Sequence, residues 1–389
     1  MVFKKVVGLV MGCFGLSKQP TRPAPCAENS GSLQIDEIVC NSPRIRLSDG
    51  RFLAYRERGV PKNESNYRVI VVHGFGSSKE MNFMATQSIF ISLYNLRHTC
   101  DPKCVESEIN LLSRMEYEDS IVLVKEELLD ELSIYLLLFD RAGYGESDPN
   151  PKRSLKSEAF DIEELADKLQ LGSKFYVVGV SLGCYPAWSC LNCIPNRLAG
   201  ISLVVPYINY KWPSLPADLT KDDYRRGLSR WMYIVACYAP GLLHWWLTQK
   251  LFPSSTVLDR NPAFFSNKDL EVLKNTPGYQ LLSQNKLRER SVFDSLRRDF
   301  MVAFGKWDFD PMDLHNPYAE MESSVHIWQG YEDKVVPFQL QRYVWNKLPW
   351  IRYHEVPDGG HLLVYDSAVC EAILRSLLVG EDFPLYRPQ

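Results

Sequence analysis

The sequence predicts an α/β protein with a doubly wound, mainly parallel sheet that begins with an antiparallel hairpin. Short, continuously apolar segments, of the kind that is buried on both faces of a parallel sheet, recur along the chain. Helix-forming segments separate them, and this alternation is typical of parallel strands joined by crossover helices. At the start, residues 45–56 alternate apolar and polar side chains around Asp49 and Gly50, which predicts the hairpin.

The parallel strands follow in order along the chain. The first is predicted at residues 68–72 and ends in a glycine-rich turn, 73–78. The next apolar segment, 134–139, runs into a second such turn at 140–148, and a helix is expected around 158–170. Further strands are predicted at 175–178, 197–205, 325–329 and 352–356.

Composition places the chain among ordinary globular proteins. Its 389 residues, 46% hydrophobic and 23% charged, are sufficient for a large core, as one domain with an insertion or as two small domains. The formal net charge of −3 and the absence of long basic runs argue against a nucleic-acid partner. Ten scattered cysteines favour a reducing compartment over a disulfide-stapled secreted protein, so we expect a cytoplasmic location.

Two cysteine pairs are close enough in sequence to be considered as metal or redox sites. Cys190 and Cys193 fall in the helix predicted after residue 183, where packing explains them. Cys100 and Cys104 lack a second ligand pair at zinc-finger spacing. We therefore predict neither a metal nor another cofactor.

Residues 1–40 are predicted to be an N-terminal tail and linker. Two lysines precede a short apolar run within residues 1–16, which is too short to span a bilayer comfortably. One interpretation is weak membrane association through this segment, with Cys13 as a candidate for acylation. The other is a poorly ordered tail, followed by a proline-containing linker at 18–32.

Residues 175–184 contain the motif around which the functional prediction is built. Four apolar or β-branched residues run directly into Gly179-Val180-Ser181-Leu182-Gly183, and an apolar, helix-competent segment follows. Strand, Gly-x-Ser-x-Gly and helix in this order form the context of a nucleophile elbow, in which a strained turn presents the serine hydroxyl above the sheet. Gly179 and Gly183 would remove Cβ atoms that collide where helix and strand pack. A serine-containing turn without function is the alternative, so the partners must decide.

A serine nucleophile needs a histidine base, and the base needs a carboxylate that fixes its tautomer. In this arrangement the acid and the histidine follow the serine in chain order, each beyond the end of a strand. The strand at 325–329 is followed by Glu332 and Asp333, and the strand at 352–356 by a Gly-Gly-His361 loop. Of the seven histidines, only His361 lies in a glycine-rich loop downstream of such an acid loop.

Two backbone N–H groups must stabilise the oxyanion that forms during acyl transfer. We expect one from Leu182, directly after the serine, and one from Phe75, in the turn after the first parallel strand. Gly74 and Gly76 let that turn approach the substrate closely. His73 is interpreted as a structural loop residue rather than a second base.

Two segments interrupt the strand–helix rhythm. The core is predicted at 41–206 and 319–389, with a helical cap at 207–318 that hangs over the active site. Some of the cap's aromatic side chains should face the cleft and make it apolar, while most pack between helices; its tryptophans are Trp212, Trp231, Trp245, Trp246 and Trp307.

The second interruption is the connection between residues 73 and 140, which are 67 positions apart. A strand–helix–strand unit needs about 30 residues or a little more, so roughly 40 residues near 86–124 are surplus. We mark 84–124 as an unusual insertion. A lid loop is one interpretation, and translated intron sequence in a faulty gene model is the other.

Taken together, these motifs resemble an α/β-hydrolase of the AB hydrolase-1 type, and more closely the plant serine hydrolases that share residues 72–76, 140–148 and 179–183. The resemblance covers about residues 41–85 and 125–380. It implies that Ser181 is the nucleophile, that His361 is the base and that Asp333, rather than Glu332, is the acid. Similar members lack anything like residues 86–124, a departure at the entrance to the oxyanion loop.

Serine at the elbow argues against epoxide hydrolase and haloalkane dehalogenase chemistry, in which a carboxylate attacks. The expected reaction is hydrolysis of a carboxylic ester of carboxylesterase or lipase type, with thioesters, amides and acyl transfer to an alcohol left open. The bulky Phe75 and an aromatic cap favour a lipophilic small-molecule substrate with a small to medium acyl group. The alternatives are a hydrolase-fold ligand receptor with slow turnover, an acyltransferase, or an inactive product if residues 86–124 disrupt the oxyanion loop.

Overall fold

The computed structural model describes residues 42–81, 83, 127–249, 264–275, 284–318 and 324–381, all within a compact unit formed by Cys40–Gln389. The predictions for the N-terminal tail and for the insertion at 84–124, with Cys100 and Cys104, lie outside the described residues. In the part of the chain that is described, no helix combines the length and the hydropathy needed to cross a bilayer.

The described strands form one eight-stranded sheet in the order β1-β2-β4-β3-β5-β6-β7-β8. The first two strands and the β2–β4 pair are antiparallel, and every other neighbouring pair is parallel. The predicted fold class, including the hairpin at its start, is therefore confirmed. The strands are β1 (Arg44–Arg46), β2 (Phe52–Gly59), β3 (Tyr67–Val72), β4 (Ile134–Phe139), β5 (Phe175–Val180), β6 (Leu198–Val204), β7 (Val325–Gly330) and β8 (Arg352–Val356).

The described helices are distributed over both faces of the sheet and over one long connection. They are α1 (Glu127–Glu131), α2 (Leu155–Lys168), α3 (Cys184–Cys193), α4 (Ala217–Thr220), α5 (Tyr224–Tyr238), α6 (Pro240–Thr248), α7 (Asn267–Asn275), α8 (Gln284–Leu287), α9 (Arg290–Ala303), α10 (Phe338–Lys347) and α11 (Ser367–Val379).

Alternation along the central strands divides the interior into two cores. In β3, Ile70 and Val72 point into the core that α2, α3 and α10 cover, whereas Val69 and Val71 point into the core beneath α1 and α11. Both faces are buried, which explains why these strands are continuously apolar in sequence. The helix expected around 158–170 begins earlier, at Leu155, because Ser154 and Ser157 cap its first turn reciprocally.

The described residues between β6 and β7 include helices α4 to α9, and we call residues 207–318 the cap. Helices α5, α6 and α9 form a small apolar core of their own around Met232, Leu243 and Phe300. Phe75, from the turn after β3, stacks on Phe300 with ring centroids 4.7 Å apart. The cap therefore lies over the ends of the parallel strands, where ligands bind in open α/β sheets.

Candidate active site

The turn between β5 and α3 has the geometry of a nucleophile elbow. Ser181 adopts a φ of +53°, in the left-handed region that a residue with a side chain rarely adopts. A Cβ atom on Gly183 would collide with the carbonyl oxygens of Val72 and His73, and one on Gly179 would lie 2.9 Å from the Gly183 oxygen. Gly183 is therefore needed for the elbow to pack against β3, and Gly179 is needed for α3 to pack against β5.

The structure brings Ser181, His361 and Asp333 together in one hydrogen-bonded chain. The hydroxyl of Ser181 lies 2.9 Å from Nε2 of His361, and Nδ1 of His361 lies 2.8 Å from Oδ2 of Asp333. Because an ionised carboxylate only accepts hydrogen bonds, it assigns the proton to Nδ1 and leaves Nε2 as the acceptor for the serine hydroxyl. This arrangement can deprotonate Ser181 as it attacks an electrophile.

Asp333 is fixed by the loop that follows β7. Its Oδ1 accepts the backbone N–H groups of Val335 at 2.7 Å and Val336 at 2.9 Å, which leaves Oδ2 for His361. The side-chain amide of Gln329 donates to the same Oδ2 at 3.2 Å. Its neighbour Glu332 is exposed, so the structure places Asp333, and not Glu332, against the base.

Two charges act on the imidazole of His361. Burial alone would lower the pKa of His361, because a charged ring is poorly solvated there, but the carboxylates of Asp333 and Asp269 more than compensate. The pKa of His361 is therefore raised above the ordinary value. Such a shift favours the imidazolium, the form that a histidine adopts when it accepts a proton from a hydroxyl group.

The predicted oxyanion residues lie beside the serine. A Cβ atom on Gly74 would come within 3.0 Å of the Val180 oxygen and 3.2 Å of the Ser181 Cβ, so the turn after β3 touches the elbow. Gly76 has a φ of +70°, which favours glycine. Phe75 and Leu182 line the same cavity as Ser181.

His73 ties two loops together through backbone groups. Its Nε2 accepts the N–H of Arg141 at 3.0 Å, and its Nδ1 donates to the carbonyl of Gly74 at 2.8 Å. Burial, with the neighbouring guanidinium of Arg141, lowers the pKa of His73 to about 3, so the ring is neutral. Both ring nitrogens are committed to loop structure, as expected for a residue that is not a base.

An apolar cavity of about 140 Å³ opens above Ser181. Arg225 is the one charged side chain among the described lining residues, and its guanidinium donates to the carbonyl oxygen of Lys334 at 2.6 and 3.0 Å. The aromatic lining comes from phenylalanine and tyrosine. The lining residues are Phe75, Ser181, Leu182, Tyr207, Ile208, Tyr210, Arg225, Leu228, Ser229, Met232, Phe264, Phe300, Phe304, Val335, Val336 and Pro337.

The tryptophans of the cap lie elsewhere. Trp212 packs edge-on against Trp307 with centroids 5.2 Å apart, and Trp231 packs in the same way against Trp246 at 5.4 Å. Trp245 is 43% exposed. Trp231 and Trp246 lie on neighbouring helices, as predicted, whereas Trp212 and Trp307 lie in loops and pack into the main core. The sequence does not distinguish the phenylalanines and tyrosines that reach the cleft.

Two buried aspartates of the cap support the site, and their role was not predicted from the sequence. Asp299, on α9, accepts two hydrogen bonds of 2.9 Å from Arg141. Asp269, on α7, reaches the loop of His361. Only Asp269 has a sequence signal, a serine three residues earlier that predicts a helix cap. Among the described residues, no group of three or more His, Cys, Asp or Glu side chains is arranged to hold a metal ion.

Comparison with known proteins now identifies the family. A family model described as "Alpha/beta hydrolase family" matches residues 69–373. This chain belongs to the α/β-hydrolase family. A search of curated protein sequences gave no significant match. The closer resemblance to plant members stays a prediction.

Solved structures of α/β-hydrolases are similar in fold. A thermophilic esterase from Thermogutta terrifontis is 18% identical, with a TM-score of 0.51 over 86% of this chain and 98% of the esterase. MGS-M2, an α/β hydrolase from a Medee basin deep-sea metagenome library, is 13% identical, with a TM-score of 0.54 over 89% and 100%. An enol-lactonase from Burkholderia xenovorans LB400 is 12% identical, with a TM-score of 0.53 over 87% and 100%. At these identities the likeness concerns the fold alone.

Proposed function

We propose that this protein is a serine hydrolase that cleaves the carboxylic ester of a lipophilic small molecule through an acyl-enzyme. The observation that carries the proposal is the chain Ser181–His361–Asp333 at the base of an apolar cavity, with distances of 2.9 and 2.8 Å between successive side chains. Hydroxyl, imidazole and carboxylate in this order are the groups that acyl transfer requires.

In the first half-reaction, the Ser181 oxygen attacks the ester carbonyl while Nε2 of His361 takes the hydroxyl proton. The negative charge moves to the carbonyl oxygen, where the N–H groups of Phe75 and Leu182 are proposed to stabilise it. The tetrahedral intermediate then expels the alcohol, which receives the proton from His361. Water repeats the sequence on the acyl-enzyme and releases the acid.

The cavity lining supports the choice of substrate. Its walls are mainly aromatic and aliphatic side chains, and the guanidinium of Arg225 is already engaged with the Lys334 carbonyl. Burial of apolar surface is favourable at about 25 cal/mol per Å², so an apolar acyl or alkyl group gains most from this site. The proposed substrate is therefore an uncharged ester with a small to medium acyl chain.

A fluorophosphonate probe tests nucleophile, base and oxyanion hole in one experiment. We expect labelling of Ser181, together with sustained hydrolysis of p-nitrophenyl esters of graded chain length, and loss of both in Ser181→Ala. Ser189→Ala is the matched control, because the hydroxyl of Ser189 bonds only to the Tyr185 carbonyl within α3 among the contacts described. Absence of labelling in folded protein would refute the proposal.

The same assay distinguishes the other functions that this fold supports. A single burst without turnover, combined with ligand binding, would indicate a receptor. Transfer of the acyl group to an added alcohol at the expense of hydrolysis would indicate an acyltransferase. Sustained release of the free acid, dependent on Ser181, is the outcome that we expect.

A further inference from the structure

A carboxylate from the cap is buried against the loop of the catalytic base. Asp269 lies in the first turn of α7 and is 1% exposed. Its Oδ2 accepts the N–H of Ser266 at 2.9 Å, and the Asp269 N–H donates to the Ser266 hydroxyl at 3.1 Å. These reciprocal bonds form a capping box, which would be a sufficient role for an aspartate at this position.

The same carboxylate makes two more hydrogen bonds that helix capping does not explain. Its Oδ2 accepts the backbone N–H of His361 at 3.0 Å, and its Oδ1 accepts that of Leu362 at 2.7 Å. The approach is close enough that a Cβ atom on Gly360 would collide with the carboxylate. Asp269 therefore fixes the backbone on both sides of the His361 Cα through charge-assisted bonds, which are about twice as strong as neutral ones.

The neighbouring part of the cap holds the loop of the catalytic acid. The ammonium group of Lys334, the residue after Asp333, donates to the carbonyl oxygen of Phe265 at 2.9 Å. Arg225, on α5, donates to the Lys334 carbonyl. The acid loop and the base loop thus depend on the same short cap segment, residues 264–269.

We propose that Asp269 is a positioning residue that couples the seating of the cap to the orientation of His361, so that the triad is assembled only when the cap is in place. This inference rests on the proposed function, since it assigns the residue a part in the same reaction. Misplacement of a reacting group by about 1 Å can reduce a rate about 100-fold, so the fixed backbone matters for turnover.

Asp269→Asn tests the proposal, because an amide has one acceptor oxygen where the carboxylate has two. Its NH₂ group would face the N–H of either His361 or Leu362, and one loop bond would be lost. We expect kcat for a p-nitrophenyl ester to fall about 10- to 100-fold, with KM changed less than about twofold. The acid limb of the pH profile should also move to lower pH, since a negative charge near the imidazole is removed.

Two matched variants separate positioning from stability. Asp310, 6% exposed, also accepts backbone N–H groups, from Ser214 at 2.9 Å and Met312 at 3.0 Å, but it has no described contact with the triad. Asp310→Asn should lower stability and leave kcat and the pH profile unchanged. Ser154→Ala, which removes the capping-box hydroxyl of α2 and has no described contact with the triad, should behave in the same way.

Hydrogen exchange tests the proposal without a measurement of activity. In Asp269→Asn the peptide containing His361 and Leu362 should exchange faster than in Asp310→Asn at equal distance from each variant's melting temperature. Equal exchange, or an unchanged kcat and pH profile, would overturn the positioning role. If the wild type is not labelled at Ser181 but the His361 peptide still exchanges faster in Asp269→Asn, the proposed function is refuted. The structural role of Asp269 in holding the His361 loop is then retained.

If Asp269→Asn does not fold, Asp269→Glu provides the test, because it retains the charge and both acceptors on a side chain longer by one methylene. A loss of kcat at constant KM in that variant supports the proposal. Wild-type kcat in that variant, together with unchanged exchange of the His361 peptide, contradicts it.

Discussion

Single residues of the elbow show how little freedom the site has. Gly183 has carbonyl oxygens of β3 and the following turn directly where a side chain would begin. Gly183→Ala should therefore lower the free energy of unfolding by about 3 kcal/mol, the upper end for overpacking, because backbone atoms cannot move aside. Urea unfolding measures this loss of stability, and fluorophosphonate labelling measures whether the elbow still presents Ser181.

The matched substitution is Gly227→Ala on α5. A Cβ atom there meets nothing within 4 Å, and alanine is the better helix former, so stability should rise by about 1 kcal/mol. Equal losses of stability in the two variants would contradict the packing explanation.

The pH dependence follows from the imidazole of His361. In the proposed reaction the base must be neutral, so kcat/KM should rise with pH and reach half of its plateau at the pKa of His361 in the free enzyme. Because Asp333 and Asp269 raise that pKa, the midpoint should lie above the ordinary value of about 6.5.

Removal of the acid tests which carboxylate matters. Asp333→Asn should reduce kcat by about 10,000-fold, since the amide no longer dictates the tautomer, whereas the exposed Glu332→Gln should have little effect. The measurement is a pH–rate profile with one ester for the three proteins. A midpoint below the ordinary histidine value would contradict the charge argument.

At the scale of elements, helix α9 is attached to the core through a buried ion pair. Asp299 and Arg141 are both fully buried, and the hydroxyl groups of Tyr144 and Tyr185 also donate to Asp299. Burial opposes the charge of Asp299, but the guanidinium groups of Arg141 and Arg153 outweigh it and hold the pKa of Asp299 well below its ordinary value.

Removal of this carboxylate should weaken the whole fold. Asp299→Asn leaves the buried charges of Arg141 and Arg153 with Glu158 as their one described carboxylate partner, and it should lower the free energy of unfolding by about 3–5 kcal/mol. Glu80→Gln is the control, because its pair with Arg56 is 40% and 47% exposed and contributes about 1 kcal/mol or less. Urea titration at pH 7 measures both.

The sign of the pH effect is fixed by the same pair. The pKa of Asp299 in the folded state lies below the unfolded value of about 3.9. The stability that this group contributes is therefore complete above about pH 3.9 and is lost progressively as the pH falls from there through the folded-state pKa. The difference between wild type and Asp299→Asn should therefore shrink in strong acid. A constant difference down to that range would contradict the assignment.

The elements were predictable to the extent that their signals are local. Strand β5 and the glycines around Ser181 occupy one continuous stretch, and His361 and Asp333 follow strands in the order that the elbow demands. The bond from Arg141 to Asp299 spans 158 positions, and nothing near either residue in sequence indicates the other. The cap tryptophans have the larger rings, but four of them pack against one another in two pairs and Trp245 is 43% exposed, whereas Phe300 and Phe304 line the cavity.

At the scale of the whole molecule, the cap and the sheet are joined by buried polar contacts as well as by apolar packing. Asp299 binds Arg141 of the sheet region, and Asp269 binds the loop after β8. Opening the cap alone would separate these charges from their partners, at a free-energy cost comparable to unfolding a large part of the domain. The cap should therefore not behave as a loosely attached lid.

We accordingly expect cap and sheet to unfold in one transition. In hydrogen exchange at increasing urea concentration, peptides from α5 and from β5 should lose protection at the same midpoint. Asp299→Asn should separate the two, with α5 exchanging at the lower concentration, whereas Glu80→Gln should keep them together. If α5 of the wild type exchanges well before β5, the cap opens on its own. Each opening would then remove Asp269 from the His361 loop and disrupt the triad, and each closing would restore it.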